Sequence, residues 1–412
     1  MIDERRSRFG AYLARLRRDK RVSQRQLAEA LCRISGLPSL TRNEISRWER
    51  GDRVPNAWLP ALATALEVSL DDLERAAAHA RGDEPFSGNL SPAEALGYFL
   101  PNTVEELGPL ITTQGRQAGE STAASLASRA HGLRLADDVI AGRDLLDPAM
   151  RELDRAVRLY RQTTHTEQVG RALLRSIAEL AQIAGWIAGD AGQYDQAHRA
   201  YQLGISAARN TGDDALLGNL AGSLAYLYSN TGREADAVSL AHAALEEAGP
   251  HLPARARALS LDRIAWAHAK AGEAQPAMRA LSAAHEALEQ DEPSGAPIWA
   301  YWVSSDELAV MDARVFTELR KPLRAVPLLE KVLERYDSTH TRELALYLSW
   351  LAVALVDANE PEEAAQAARR MFDLAKDFAS ERTSQRTSVV LAKLQPHKDV
   401  PQVREVLDAY AA

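Results

Sequence analysis

Apolar positions recur every three to four residues along this chain. The first segment to show the pattern runs from Arg8 to Lys20, where Phe9, Tyr12, Leu13 and Leu16 fall on one side and Arg15, Arg17 and Arg18 on the other. That spacing predicts a helix. Ser23, with Gln26 three positions on, is a capping pattern and opens a second helix whose apolar stripe is Leu27, Ala28 and Leu31. Ile34 to Leu40 contains Gly36 and Pro38 and reads as a connector. Thr41-Arg42-Asn43-Glu44 repeats the capping pattern, with Thr41 as N-cap, and starts a third helix that stops at Gly51. Within it Ile45 and Trp48 turn inward, while Asn43, Ser46, Arg47 and Arg50 share the outer face.

Gly82 to Asn89 is rich in breakers and has no periodicity, which predicts a linker, and the stretch from Ala93 to Gly119 supports no single element. Beyond Ser121 the chain is alanine-rich and helically spaced nearly throughout, so an all-α body is expected. A 40-residue period then emerges: Gly192, Gly232 and Gly272 are in register, as are Ala197, Ala237 and Ala277. Small residues precede each glycine by seven, at Gly185, Ala225 and Ala265, and follow each alanine by seven, at Gly204, Ala244 and Ala284. Two antiparallel helices approach closely only where both carry small residues, and glycine supplies a left-handed turn between them. Each period is therefore read as one helical hairpin. Two weaker copies are centred on Ala325 and Ala364, with Arg320 and Asn359 in place of the turn glycine, and a capping helix is expected near Val400.

Charge divides the 412 residues unevenly. The net charge is -8, but residues 1–53 carry 14 Arg and Lys against 7 Asp and Glu, leaving 35 against 50 in the remainder. A basic module on an acidic body suits a polyanion-binding head, although a charge run can also be only a solvated face. Cys32 is the single cysteine, placed on the apolar side of the second helix; it forms no intrachain disulfide and reads as core, which favours a reducing compartment and a cytoplasmic, nucleoid-associated protein. Signal peptide and transmembrane helix are not expected, the longest apolar stretch, Leu344 to Val356, being too short to span a bilayer.

The run Ser23-Gln24-Arg25-Gln26-Leu27-Ala28-Glu29-Ala30-Leu31, with Ile45-Ser46-Arg47-Trp48-Glu49-Arg50-Gly51 and Val54-Pro55, resembles the helix-turn-helix domain of the XRE family of bacterial and phage repressors. Leu62, Leu66, Val68 and the capped Ser69 to Leu73 look like the fourth and fifth helices of that five-helix domain, so the resemblance covers residues 1–78. One departure is a stretch between Ala28 and Ile45 about seven residues longer than the usual tight turn. The resemblance implies double-stranded operator DNA as partner, a homodimer, helix three as the recognition helix and a phosphate contact for Gln24. Asn43 and Arg47 are candidates for bases, Arg42, Arg50 and Arg53 for phosphates, and Arg25, Thr41 and Ser46 complete the candidate surface. Glu49 is expected to pair with helix-one arginines, Trp48 to be core, and Arg5 to Arg8 to be either a groove-reaching arm or a frayed end.

The pattern small-x6-Gly-x4-Ala-x6-small resembles the tetratricopeptide repeat, clearest over residues 177–374 within a body spanning 121–412, with 79–120 as connection. Its period of 40 exceeds the family's 34, so a generic α-solenoid is the fallback. In such hairpins the first helix lines a concave surface, and the position six before each turn glycine holds Trp186, Tyr226 and Trp266, with Arg314 in the fourth copy. Gln182 and Asp262 sit one turn earlier. This stripe either holds an extended peptide or a flat metabolite, or only fills space between hairpins.

Phosphate-loop, dinucleotide, nucleophile-elbow and zinc-protease motifs are missing, and the ten histidines show no metal-ligand spacing. No cofactor, metal, membrane partner or catalysis is expected. The combination implies a dimeric transcriptional regulator whose repeats sense a peptide or small molecule, resembling peptide-responsive regulators of Gram-positive bacteria. The 42 Arg against 7 Lys and the abundant alanine fit an actinobacterial genome. The alternatives are a DNA-tethered platform for a protein partner without an effector, and an adaptor whose head has lost DNA binding.

Overall fold

Five helices build the N-terminal unit: α1 (Ile2–Asp19), α2 (Gln24–Ser35), α3 (Arg42–Glu49), α4 (Leu59–Leu66) and α5 (Leu70–Arg81). The computed structural model describes residues 2–36, 40–81, 116–137, 142–292, 295–335, 341–375 and 381–410. The predicted linker from Gly82 to Asn89 lies outside the described residues, as does most of the segment up to Gly119. Helix α1 packs on α3 and α5, and α2 on α3 and α4, so the apolar stripes of the first three helices meet in one core with Phe9, Tyr12, Leu31, Ile45 and Leu62 wholly buried. Because α1 begins at Ile2, Arg5 and Arg6 belong to its first turns and are neither an arm nor a frayed end.

Backbone contact fixes α1 against the end of α3. A Cβ on Gly10 would lie 2.5 Å from the Glu49 carbonyl oxygen, and one on Gly51, at φ +78°, would lie 2.5 Å from the Ser7 nitrogen. Gly51→Ala therefore combines a left-handed backbone with a backbone collision. It is expected to destabilise the N-terminal unit by about 2 kcal/mol or more. Urea unfolding followed through Trp48 and Trp58, whose ring centroids are 6.2 Å apart, checks this.

The body is built from helical hairpins. Helices α6 (Glu120–Asp137) and α7 (Gly142–Gln162) precede α8 (Glu167–Asp190) with α9 (Tyr194–Arg209), α10 (Asp214–Ser229) with α11 (Glu234–Glu247), and α12 (Ala254–Lys270) with α13 (Ala274–Leu288). Then come α14 (Ser305–Glu318) with α15 (Pro322–Arg335) and α16 (Thr341–Asp357) with α17 (Pro361–Ala375), closed by α18 (Glu381–Leu394) and α19 (Pro401–Tyr410). The one exception to an all-α chain among the described residues is a two-residue parallel pairing of β1 (Arg116–Gln117) with β2 (Thr163–Thr164).

Five hairpins share one turn. Gly192, Gly232 and Gly272 have φ of +75°, +75° and +77°, and Arg320 and Asn359 take the same left-handed conformation at +51° and +64°. In each, the following amide donates to a carbonyl five residues back, at 2.8 Å for Gln193 to Ala188 and 2.7 Å for Lys321 to Phe316. This bond satisfies a carbonyl that the helix end leaves open, which sustains the turn even where a side chain makes it costlier. The small residues do what their spacing predicts: a Cβ on Gly185 would meet the Tyr201 ring at 2.7 Å, and one on Gly204 would meet the Ala181 Cβ at 2.9 Å. The first helices α8, α10, α12, α14 and α16 also pack laterally on one another, forming an inner row behind which the second helices lie. No helix among the described residues is long and apolar enough to cross a membrane.

Candidate functional site

The N-terminal unit presents α3 through α2. Ser23 Oγ accepts from the Gln26 amide at 3.2 Å while Gln26 Oε1 accepts from the Ser23 amide at 2.8 Å, which completes the expected capping box, and Gly36 at φ +70° ends the helix. The longer stretch before α3 is accommodated by a three-turn α2 followed by a connector anchored at buried Leu40, whose carbonyl faces Cys32 Sγ at 3.6 Å. At α3 the expected capping box does not form. Thr41 makes no side-chain cap and Glu44 is drawn to Arg47 at 3.2 Å, so the helix start rests on backbone bonds from Glu44 and Ile45 to the Thr41 carbonyl.

Ile45 and Trp48 are buried, whereas Thr41, Arg42, Asn43, Arg47, Arg50 and Arg53 are exposed and Ser46 is half-buried. Arg50 is preset, bonding Ser46 Oγ and Asp52 Oδ2 at 2.8 Å each. Arg42 and Arg53 make no ion pair with the described residues. Arg25 is exposed and reaches Glu29 at 3.0 Å. Gln24 is different: its Nε2 donates to Glu49 Oε2 at 2.7 Å, and Glu49 also takes Arg17 Nε at 2.6 Å. Glu49 thus ties α1, α2 and α3 together, and its grip on the Gln24 amide competes with the phosphate contact that the resemblance implies.

In the body, the inner row lines a half-open cavity of about 380 Å³. Gln182 and Trp186 from α8, Tyr226 from α10, Asp262 from α12 and Arg314 from α14 all line it, so five of the six candidate residues converge although they span 133 positions. Trp266 does not line it. Its ring is buried between Tyr226 and Trp350, with centroids 6.3 and 5.8 Å away, and the Arg314 guanidinium stands 4.7 Å above it. Trp186 stacks on Tyr226 at 5.5 Å, Arg314 donates to the Tyr226 hydroxyl at 2.7 Å, and Arg386 covers Trp350 at 3.7 Å. One aromatic ladder, pinned by two arginines, therefore links α8, α10, α12 and α16.

Several wall residues were not legible from the repeat pattern. Trp299, Tyr301 and Trp302 come from the turn before α14, where the interval from Gly272 to Arg320 is 48 rather than 40; that excess, dense in aromatics, was the available signal. Arg263 was hidden because its partner is a backbone: Nη1 bonds both the carbonyl and Oδ1 of Asn219 at 2.9 Å, in space left by Gly222, whose Cβ would lie 2.9 Å from it. Burial lowers the Arg263 pKa to about 10. Gln182 is buried and reaches Ser223 at 3.4 Å. Asp262 is buried with no partner for Oδ1 among the described residues, and burial raises its pKa to about 7 against the opposing pull of Arg314.

Histidine pairing also escapes the spacing rules. His242 and His268, 26 positions apart, meet at 3.0 Å, and His268 Nδ1 reaches Glu273 at 2.6 Å. Burial, then the neighbouring His268, lowers the His242 pKa. No group of three or more potential ligands that could hold a metal occurs among the described residues.

Residues 8–76 match a protein-family model described as a helix-turn-helix domain. No curated protein and no solved structure matches the chain. With α2 and α3 in this arrangement, the N-terminal unit is a helix-turn-helix DNA-binding domain of a transcriptional regulator.

Proposed function

Because the chain carries a helix-turn-helix DNA-binding domain, we propose that it is a sequence-specific transcriptional regulator of the XRE type that acts as a homodimer. Its tetratricopeptide-like body senses a small molecule and performs no catalysis. The carrying observation is the exposed polar face of α3, with Asn43, Arg47 and Arg50 directed away from the Ile45–Trp48 core. Two-fold pairing follows from recognition physics, since one short helix reads too few base pairs to select an operator in a genome. A half-open cavity of about 380 Å³ is of a size for a small effector, and the arginine-rich, alanine-rich composition suits an actinobacterial source.

Sheared genomic DNA retained by the purified protein and sequenced tests this reading. A shared palindromic motif is the expected result. Retention without a motif would leave only backbone binding and would favour the DNA-tethered platform for a protein partner. Arg47→Ala is expected to cost about 1–3 kcal/mol on the motif and to relax preference at one position. Equal losses on motif and random DNA would make Arg47 a phosphate contact.

A further inference from the structure

The body cavity brings opposite charges together without pairing all of them. Three arginines, Arg134, Arg263 and Arg314, and three acids, Asp137, Asp262 and Glu307, line it. Arg134 is spent on Glu179, donating from Nη1 to the carboxylate at 2.9 Å and from Nη2 to the carbonyl at 3.5 Å, and Glu307 accepts from the Tyr347 hydroxyl at 3.2 Å. Asp262 differs. Arg314 and Arg263 both act on its carboxylate, with Asp312 opposing them, yet it forms no ion pair or hydrogen bond with any described residue. Arg263 is turned to Asn219 and Arg314 to the Tyr226 hydroxyl. Opposite charges buried in one space ordinarily close into an ion pair, because each left alone keeps its desolvation cost. The separation of Asp262 from Arg314 leaves a place for a third group.

Access selects the atoms that can meet such a group. Asp262 Oδ1 and Arg314 Nε are sealed from solvent and cannot. Asp262 Oδ2 and Arg314 Nη1 are not sealed, bond no described residue, and belong to side chains on the cavity wall. The first carries negative charge and accepts; the second carries positive charge and donates. A ligand that meets both therefore carries a cation and an anion. With three positive and three negative side chains on the wall, such a ligand adds no net charge, whereas a simple cation or a simple anion leaves one charge uncompensated. Much of the remaining wall is aromatic, with Trp186, Tyr226, Trp299 and Trp302, and about 380 Å³ suits a molecule with one flat ring system.

We propose that this cavity binds a zwitterionic α-amino acid with a flat aromatic side chain, its ammonium group on Asp262 Oδ2 and its carboxylate on Arg314 Nη1. That this binding is the signal controlling DNA retention rests on the regulator reading above.

Isothermal titration calorimetry of the full chain without DNA tests the assignment, at pH 8, where the Asp262 carboxyl, raised by burial to about 7, is largely ionised. L-tryptophan and L-phenylalanine are each compared with the amine that lacks the carboxylate (tryptamine, phenethylamine) and the acid that lacks the ammonium (indole-3-propionate, 3-phenylpropionate). At least one amino acid is expected to saturate a single site and to bind about tenfold or more tighter than both of its counterparts. Asp262→Asn, which keeps the side-chain shape and removes the charge, is expected to weaken that amino acid about tenfold or more without weakening the matching acid. No saturation by either amino acid, a counterpart that binds as tightly, or amino-acid binding indifferent to Asp262→Asn would each overturn the proposal. DNA retention measured separately on the same preparations distinguishes the two readings: retained operator with a failed titration sinks only the ligand class, and a bound amino acid without any operator sinks only the regulator.

Discussion

Trp266→Ala is expected to destabilise the body by about 3–5 kcal/mol, the range for deleting a buried aromatic. The ring is 4% exposed, wedged between Tyr226 and Trp350 beneath the Arg314 guanidinium, and its Nε1 donates to Asn230 Oδ1 at 3.3 Å. Removing it leaves a void at the junction of α10, α12 and α16, and two arginine-facing rings lose their neighbour. Trp186→Ala removes a half-buried ring from the end of the same ladder and is expected to cost about 1 kcal/mol. Urea titrations of both variants read the difference. Similar, small losses for the two would mean that the ladder does not hold the hairpins together.

Asp262→Asn is expected to stabilise the protein, increasingly so as the pH rises. The folded carboxyl, with a pKa of about 7 against an ordinary value of 3.8, holds its proton more tightly than the unfolded chain does. Below pH 4 both states are protonated and Asp262 adds no cost. Between pH 4 and 7 only the unfolded state ionises, so stability falls, and above pH 7 the loss is constant at up to about 4 kcal/mol. The carboxamide never ionises and escapes that loss. Arg314, Asp312, Arg263 and His285 face the group, and Asp312 is itself raised by burial, so the informative quantity is the difference between variant and parent at pH 5 and pH 8. A gain independent of pH would show that repacking, not a buried charge, is responsible.

The N-terminal unit was the most legible part of the chain because its determinants are local. Capping at Ser23, the inward stripe of Ile45 and Trp48, and the stop at Gly51 act within one or two helical turns. Thr41 shows the limit: an identical capping pattern failed where Arg47 competed for Glu44, a choice between two bonds of similar strength that spacing cannot rank. The Glu49 node was half legible. An arginine partner from α1 was expected, yet the capture of Gln24 by the same carboxylate depends on how α2 lies across α3.

By itself the sequence determined an all-α chain, a basic head on an acidic body, and hairpins at a 40-residue period with left-handed turns at Gly192, Gly232, Gly272, Arg320 and Asn359. These follow from propensity, amphipathic period and steric allowance, each of which acts over a few residues. Tertiary structure decided which stripe residue packs and which faces a cavity. Trp186, Tyr226 and Trp266 are equivalent in the repeat, but the ladder runs on past Trp266 to Trp350, so Trp266 is packed between its neighbours while Trp186 and Tyr226 line the cavity. It also decided that Asp262 and Arg314 should share one buried space without satisfying each other, because lateral stacking of the first helices sets that geometry over 52 residues.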